Sequence, residues 1–220
     1  EYEAQRKKLK KIDFDDMLVL CYELFVSRPE VLSRWQKKFR YILIDEFQDI
    51  NRIQYDVIRM LAEPENNIFA VGDDDQAIYG FRGADSSLMF QFGQDYPDAA
   101  RILLDTNYRS TENIVKNSLK VISHNEKRFE KELRASKGRG ECLHVQEVKD
   151  PSEEAEYILE EAEKRIREGV KAEDIAVLFR IHTDARPLVE ALLERRIPFQ
   201  MKEHLPNIYN HFIARDLQAY

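Results

Sequence analysis

Two adjacent carboxylates, Asp45 and Glu46, stand where the apolar run Arg40-Tyr41-Ile42-Leu43-Ile44 stops, within Ile44-Asp45-Glu46-Phe47-Gln48-Asp49. One carboxylate can hold magnesium while its neighbour activates a water, the division of labour that phosphoryl transfer needs. Acidic pairs at strand ends also serve as solvated turns or helix caps, so the pair alone leaves both readings open. A second segment, Val71-Gly72-Asp73-Asp74-Asp75-Gln76-Ala77-Ile78-Tyr79-Gly80-Phe81-Arg82-Gly83-Ala84, joins acid, amide, aromatic, guanidinium and glycine within fourteen residues. The Gln76 amide can donate to a terminal phosphate oxygen, and Tyr79 and Phe81 can stack on bases beside Arg82. The competing reading packs both aromatics into the core and pairs Arg82 with a nearby aspartate. A third segment, Leu104-Asp105-Thr106-Asn107-Tyr108-Arg109-Ser110-Thr111, sets an aromatic beside an arginine. Adenine can stack on Tyr108, and the planar, permanently charged fork of Arg109 can reach a transferring phosphate, although a structural ion pair explains the arginine equally well.

These segments need elements to hold them. Phe14, Met17, Leu18, Leu20, Cys21, Leu24 and Phe25 recur at helical spacing and predict a packed helix over 13–25. The apolar runs 40–44, 67–71 and 100–104 each end in polar residues, as strands buried on both faces of a parallel sheet would. Ile53, Val57, Ile58 and Leu61 place a helix over 51–62 between the first two runs. Strands alternating with helices predict an α/β fold with an open parallel sheet, in which ligands gather at the carboxyl ends of strands. A helix through Ile114, Val115, Leu119 and Ile122 comes next. The basic stretch from Lys127 to Arg139 then reads as a solvated connection, with DNA-backbone contact as the alternative. A second α/β unit is expected beyond it. It comprises a strand over 142–148, a helix capped by Asp150 with Pro151 and Glu153 in its first turn and ending near Gly169, a strand over 174–179, a helix over 183–195, a strand over 197–201 and a last helix over 210–220.

Composition narrows the classes. With 43% hydrophobic and 34% charged residues over 220 positions, the chain reads as an ordinary globular protein. A net charge of -7 argues against a general electrostatic grip on nucleic acid, so any DNA contact is local. Cys21 and Cys142 are too few and too far apart for a disulfide framework or a cysteine zinc site, and a reducing cytoplasm fits. His144, His182, His204 and His211 are scattered singles that read as surface residues. No apolar run is long enough to span a bilayer, so no membrane partner is expected. The opening Glu1-Tyr2-Glu3-Ala4-Gln5 is neither an initiator methionine nor a signal peptide, which reads as a chain beginning within a longer protein. G-x-x-x-x-G-K-[ST], the loop that cradles a triphosphate, does not occur in the sequence.

Taken together, the segments resemble those of the UvrD/Rep/PcrA-type superfamily 1 DNA helicases. Asp45-Glu46-Phe47-Gln48-Asp49 is similar to motif II of that family, Gly72 to Ala84 to motif III, and Asn107-Tyr108-Arg109-Ser110 to motif IV, in family order. Ile12 to Leu18 resembles the family's return from domain 1B into 1A, and Asp174 to Arg180 a strand of domain 2A. The resemblance implies RecA-like domain halves of P-loop NTPase type: the tail of 1B at residues 1–12, the second part of 1A at 13–107, and motif IV with the first part of 2A at 108–220. It implies ATP and Mg2+ as cofactors, with Asp45 and Glu46 at the metal, Glu46 also as the general base for the attacking water, Gln76 and Arg109 on the γ-phosphate and Tyr108 on adenine. It also implies single-stranded DNA and duplex junctions as partners, with Tyr79, Phe81 and Arg82 facing the strand. Phe81 stands where many relatives carry Trp, which keeps a stacking face of smaller area. The expected parent is a 3′ to 5′ DNA helicase with a part in DNA repair, and the chain alone, without the phosphate loop, is expected to be inactive. A non-catalytic DNA-binding or scaffold module and a helicase-nuclease subunit are the competing functions.

Overall fold

The computed structural model describes residues 2–202, and contacts divide the chain into two compact units, Glu1–Leu143 and His144–Tyr220. The first opens with helix α1 (Tyr2–Leu9) and helix α2 (Phe14–Ser27), the latter starting where Asp13 and Asp16 cap each other. Asp13 Oδ1 accepts from the Asp16 amide at 2.8 Å and Asp16 Oδ2 from the Asp13 amide at 3.0 Å, so two amides without helical partners are satisfied reciprocally. Helix α3 (Pro29–Lys38) leads into strand β1 (Ile42–Ile44), helix α4 (Arg52–Ala62) and strand β2 (Ile68–Ala70). Asn51 and Gln54 repeat the reciprocal capping at the start of α4.

Strands β1 and β2 run parallel, with Ile42 opposite Ile68 and Ile44 opposite Ala70, as a β-α-β crossover requires. Ile44, Ile50 and Ala70 pack against a core of Phe47, Tyr55 and Leu88, the last from helix α5 (Ser87–Asp95). Tyr55 is fully buried and donates its hydroxyl to Asp95 Oδ2 at 2.7 Å, and burial together with that carboxylate pushes the phenol pKa up. The expectation of strands covered on both faces is corrected here. Leu43 and Phe69, on the face away from this core, are exposed.

The third strand also differs from expectation. Residues 101–105 carry no regular structure; strand β3 forms instead at Thr106–Thr111, within the polar segment itself. It pairs in parallel with strand β4 (Arg134–Lys137), joined to it through helix α6 (Glu112–Ile122). Threonine and tyrosine suit an extended backbone, and a strand is decided by its ladder partner. Ile102 and Leu104, by contrast, find no partner strand among the described residues and are exposed.

In the second unit, helix α7 (Pro151–Arg167) begins as expected, with Asp150 Oδ1 accepting from the amides of Ser152 at 2.9 Å and Glu153 at 3.0 Å. Ala155 and Leu159 of α7 pack on Leu188 of helix α8 (Arg186–Glu194), with Phe179 and Ile197 against them. The strands expected over 142–148, 174–179 and 197–201 do not form, for the same lack of a pairing neighbour among the described residues. The helix expected over 210–220 lies outside the described residues. Among those described, no helix is long and apolar enough to cross a membrane.

Candidate active site

The β1–β2 ladder extends past both strands and lays the two acidic segments side by side. Val71 donates its amide to the Ile44 carbonyl at 2.8 Å, and Phe47 donates to the Val71 carbonyl at 2.9 Å. Between those contacts the chain turns through Glu46, which adopts the left-handed region at φ 50, ψ 45. A glutamate seldom holds that conformation without a positional reason. The turn leaves Asp45 and Glu46 exposed, while Phe47 anchors it in the core.

Glu46 is steered by a residue to which the sequence reading assigned no role. Gln48 is buried at 1% exposure, donates Nε2 to Glu46 Oε2 at 2.7 Å and accepts the Asp73 amide on Oε1 at 3.0 Å. Gly72 makes that crossing possible, because a Cβ there would lie 2.8 Å from Gln48 Oε1 and 3.2 Å from the Gln48 amide nitrogen. Asp73 then accepts from the Gln76 side-chain Nε2 on Oδ2 at 2.7 Å. Asp45, Glu46 and Gln76 thus belong to one hydrogen-bonded assembly through Gln48 and Asp73. Asp45 Oδ1 accepts the Glu46 amide at 3.0 Å, which leaves Asp45 Oδ2 and Glu46 Oε1 open among the described residues.

The aromatic segment follows on a short turn at Gly80–Arg82, ended by Gly83 in the left-handed region at φ 86. Tyr79 and Phe81 are exposed, Phe81 at 79%, with ring centroids 6.1 Å apart. The Arg82 guanidinium lies over both, 5.3 Å from the tyrosine and 5.4 Å from the phenylalanine centroid. Neither ring is in the core, so the three form an outward aromatic and cationic surface of the kind that stacks on bases.

Tyr108 and Arg109 sit on β3. Tyr108 is 75% exposed, and the Arg109 amide donates to Asn107 Oδ1 at 2.9 Å. Among the described residues no hydrogen bond, ion pair or ring contact joins either side chain to Glu46 or Gln76. The ion pair weighed for Arg109 is likewise absent there.

The reading of Lys127 to Arg139 as a solvated connection is corrected. Arg128 and Lys131 pair with Asp73, Asp74 and Asp75, and the Lys131 side chain is only 7% exposed. Burial pushes the Asp73 and Asp75 carboxyls up, but hydrogen bonds from Lys131, Gln76 and Arg128 outweigh it and hold both below the usual carboxylate range. Burial alone would lower Lys131, and its aspartate partners raise it instead. A partly buried triplet of aspartates needs counter-charges, but the residues that supply them lie 53 to 58 positions further along the chain, so the sequence showed the need and not the partner. Among the described residues, no cluster of three or more His, Cys, Asp or Glu could hold a metal.

Comparison with known proteins decides the lineage. The profile of the UvrD/REP helicase N-terminal domain matches residues 1–97, and that of the UvrD-like helicase C-terminal domain matches residues 102–209. The chain belongs to the UvrD/REP helicase family. It is 42% identical over 219 residues to YjcD of Bacillus subtilis, classed by name among ATP-dependent DNA helicases, with all of this chain and 29% of that protein covered. It is 40% identical over 219 residues to the ATP-dependent DNA helicase PcrA of Staphylococcus epidermidis and of Staphylococcus aureus, again across all of this chain and 30% of each relative. The chain thus spans under a third of the length of these helicases. The mixed fold with parallel strand pairs accords with UvrD-like, RecA-type domains.

Proposed function

We propose that this chain is the part of an ATP-dependent DNA helicase that activates the hydrolytic water, senses the terminal phosphate and touches the single strand. The observation that carries the reading is the bridge Glu46–Gln48–Asp73–Gln76, which ties a water-activating carboxylate to a phosphate-facing amide. Glu46 Oε1 is the open oxygen that takes the proton from the attacking water, while Oε2 is held by Gln48. Gln76 exchanges its Asp73 partner for the γ-phosphate, and Arg109 approaches that phosphate from β3 with Tyr108 against adenine. Tyr79, Phe81 and Arg82 hold single-stranded DNA by stacking and charge.

Magnesium fits the donor set: Asp45 Oδ2 is an open, hard oxygen that would hold it, directly or through water, with Glu46 beside it keeping Oε1 for the attacking water, and the ion usually binds one or two carboxylates together with substrate phosphates. When bound it supplies neutralisation of the phosphate charge. In the domain plan that goes with this reading, residues 1–12 end 1B, 13–107 belong to 1A and 108–220 to 2A. The complete protein couples hydrolysis to translocation, 3′ to 5′ by family resemblance, and opens duplex junctions in the cytoplasm.

Glu46→Gln in the complete protein tests the reading. DNA-stimulated ATP turnover is expected to fall on the order of 100- to 10,000-fold, the usual worth of a positioned general base, with single-strand affinity retained. Near-normal turnover overturns the assignment.

A further inference from the structure

We propose that Lys131, seconded by Arg128, is a positioning residue for hydrolysis, acting through Asp73 on both Gln76 and Glu46. The proposal rests on the reading of those two residues given above, and it adds a part of the chain that none of the three motifs contains.

The geometry is that of a clasp. Arg128 grips Asp75 with two donors, Nε to Oδ1 at 3.0 Å and an Nη to Oδ2 at 2.7 Å. The Phe129 amide donates to Asp74 Oδ2 at 2.7 Å, and its ring stacks on Phe90 at 4.3 Å with the Arg101 guanidinium 4.0 Å from its centroid. Lys131 Nζ then reaches all three carboxylates, at 2.5 Å from Asp73, 2.6 Å from Asp74 and 3.0 Å from Asp75. The Lys131 and Asp74 side chains are 7% and 4% exposed, so water screens these charges poorly.

Asp73 is where the clasp meets the site. Its Oδ1 takes Lys131, its Oδ2 takes Gln76 and its amide is held by Gln48, whose own amide holds Glu46. Without Lys131, three neighbouring carboxylates on one turn would keep, among the described residues, only Arg128 as a counter-charge, and mutual repulsion would spread the turn. Gln76 and the Gln48 contact would move with it. The clasp is also close in sequence to the strand pair that carries Arg109. Lys131 lies three residues before β4, which begins at Arg134 and pairs with the strand that carries Arg109. A shift of β3 and β4 is thereby transmitted to Gln76 and Glu46 through a short, partly buried connection, across the 107/108 border expected between the two RecA-like portions.

The experiment uses the complete protein with Lys131→Met and Lys131→Arg, read by amide hydrogen exchange over residues 72–84 and by DNA-stimulated ATPase. Lys131→Met is expected to raise exchange in that segment about 10-fold or more, as loss of a local tether does. It is expected to lower kcat roughly 10- to 100-fold, the usual effect of removing a group that orients a site residue, with KM for ATP little changed. Lys131→Arg, which keeps the charge, is expected to restore most of both. A role in stability alone would lower the melting temperature and leave kcat per folded molecule intact, and that outcome overturns the proposal. So does unchanged exchange over 72–84. If Lys131→Met does not fold, Arg128→Gln carries the same test with the same two readouts. If the wild-type protein shows no DNA-stimulated ATPase, the hydrolysis reading fails, whereas the exchange result still decides whether the clasp holds the turn.

Discussion

Glu46 is held in a left-handed turn by neighbours on both sides, and the tightest constraint on that turn comes from a missing side chain. At Gly72 the backbone passes so close to Gln48 that a methyl group would sit 2.8 Å from its carbonyl oxygen. Gln48 cannot yield freely, because its two amide ends are committed to Glu46 and to the Asp73 backbone. Gly72→Ala is therefore expected to destabilise the first unit by about 1–3 kcal/mol, the range for forcing extra volume into a packed site. Urea unfolding of the complete protein would measure it. A variant as stable as the wild type would mean that Gln48 repacks easily and does not fix Glu46. The sequence made Asp45, Glu46 and Gln76 visible because each stands next to a recognisable strand end. It did not reveal Gln48 or Lys131, whose meaning comes from partners 25 and 58 positions away. Side-chain type carries no record of so distant a neighbour.

Helices were legible element by element because their signals are local. Apolar spacing placed α2, α4, α6 and α7, and the Asp150-Pro151 start of α7 is where the structure puts it. Strands are settled by pairing, which is non-local, and so the apolar runs 100–104, 142–148, 174–179 and 197–201 misled while the polar segment 106–111 formed β3. The turn at Gly80–Arg82 is a local element whose shape matters for function. Gly83 takes a positive φ that ends the turn, and Tyr79 and Phe81 stay outside the core with Arg82 across their faces. Base stacking on an aromatic is worth roughly 1–3 kcal/mol. Phe81→Ala in the complete protein is thus expected to weaken single-stranded DNA binding by about 5- to 150-fold on that scale, while Phe81→Trp, with its larger face, should bind at least as tightly. Fluorescence anisotropy with a labelled oligonucleotide measures both. Equal affinity for all three proteins would remove the stacking role from this turn.

At the scale of the whole chain, charge and completeness decide what 220 residues can do alone. The net charge is -7, and within it the carboxylates of Asp45 and Glu46 stand at the candidate site with no neutralising partner among the described residues. The cations near that site, Arg128 and Lys131, are already committed to three aspartates. A nucleoside triphosphate is itself strongly anionic, and what normally overcomes the repulsion is a loop of backbone amides with a lysine, a sequence that this chain does not contain. Magnesium can relieve part of the repulsion, but it binds through waters and few carboxylates and relies on the phosphates being held already. The isolated 220-residue chain is therefore expected to bind ATP weakly, with a dissociation constant on the order of 1 mM or more, and to show no turnover above background. Titration calorimetry with magnesium and ATP, followed by a phosphate-release assay with and without single-stranded DNA, checks both statements. Robust hydrolysis by the purified chain would mean that the triphosphate is gripped by residues outside the three motifs. The basic residues left free of the acidic triplet in the 127–139 stretch would then be the first to substitute.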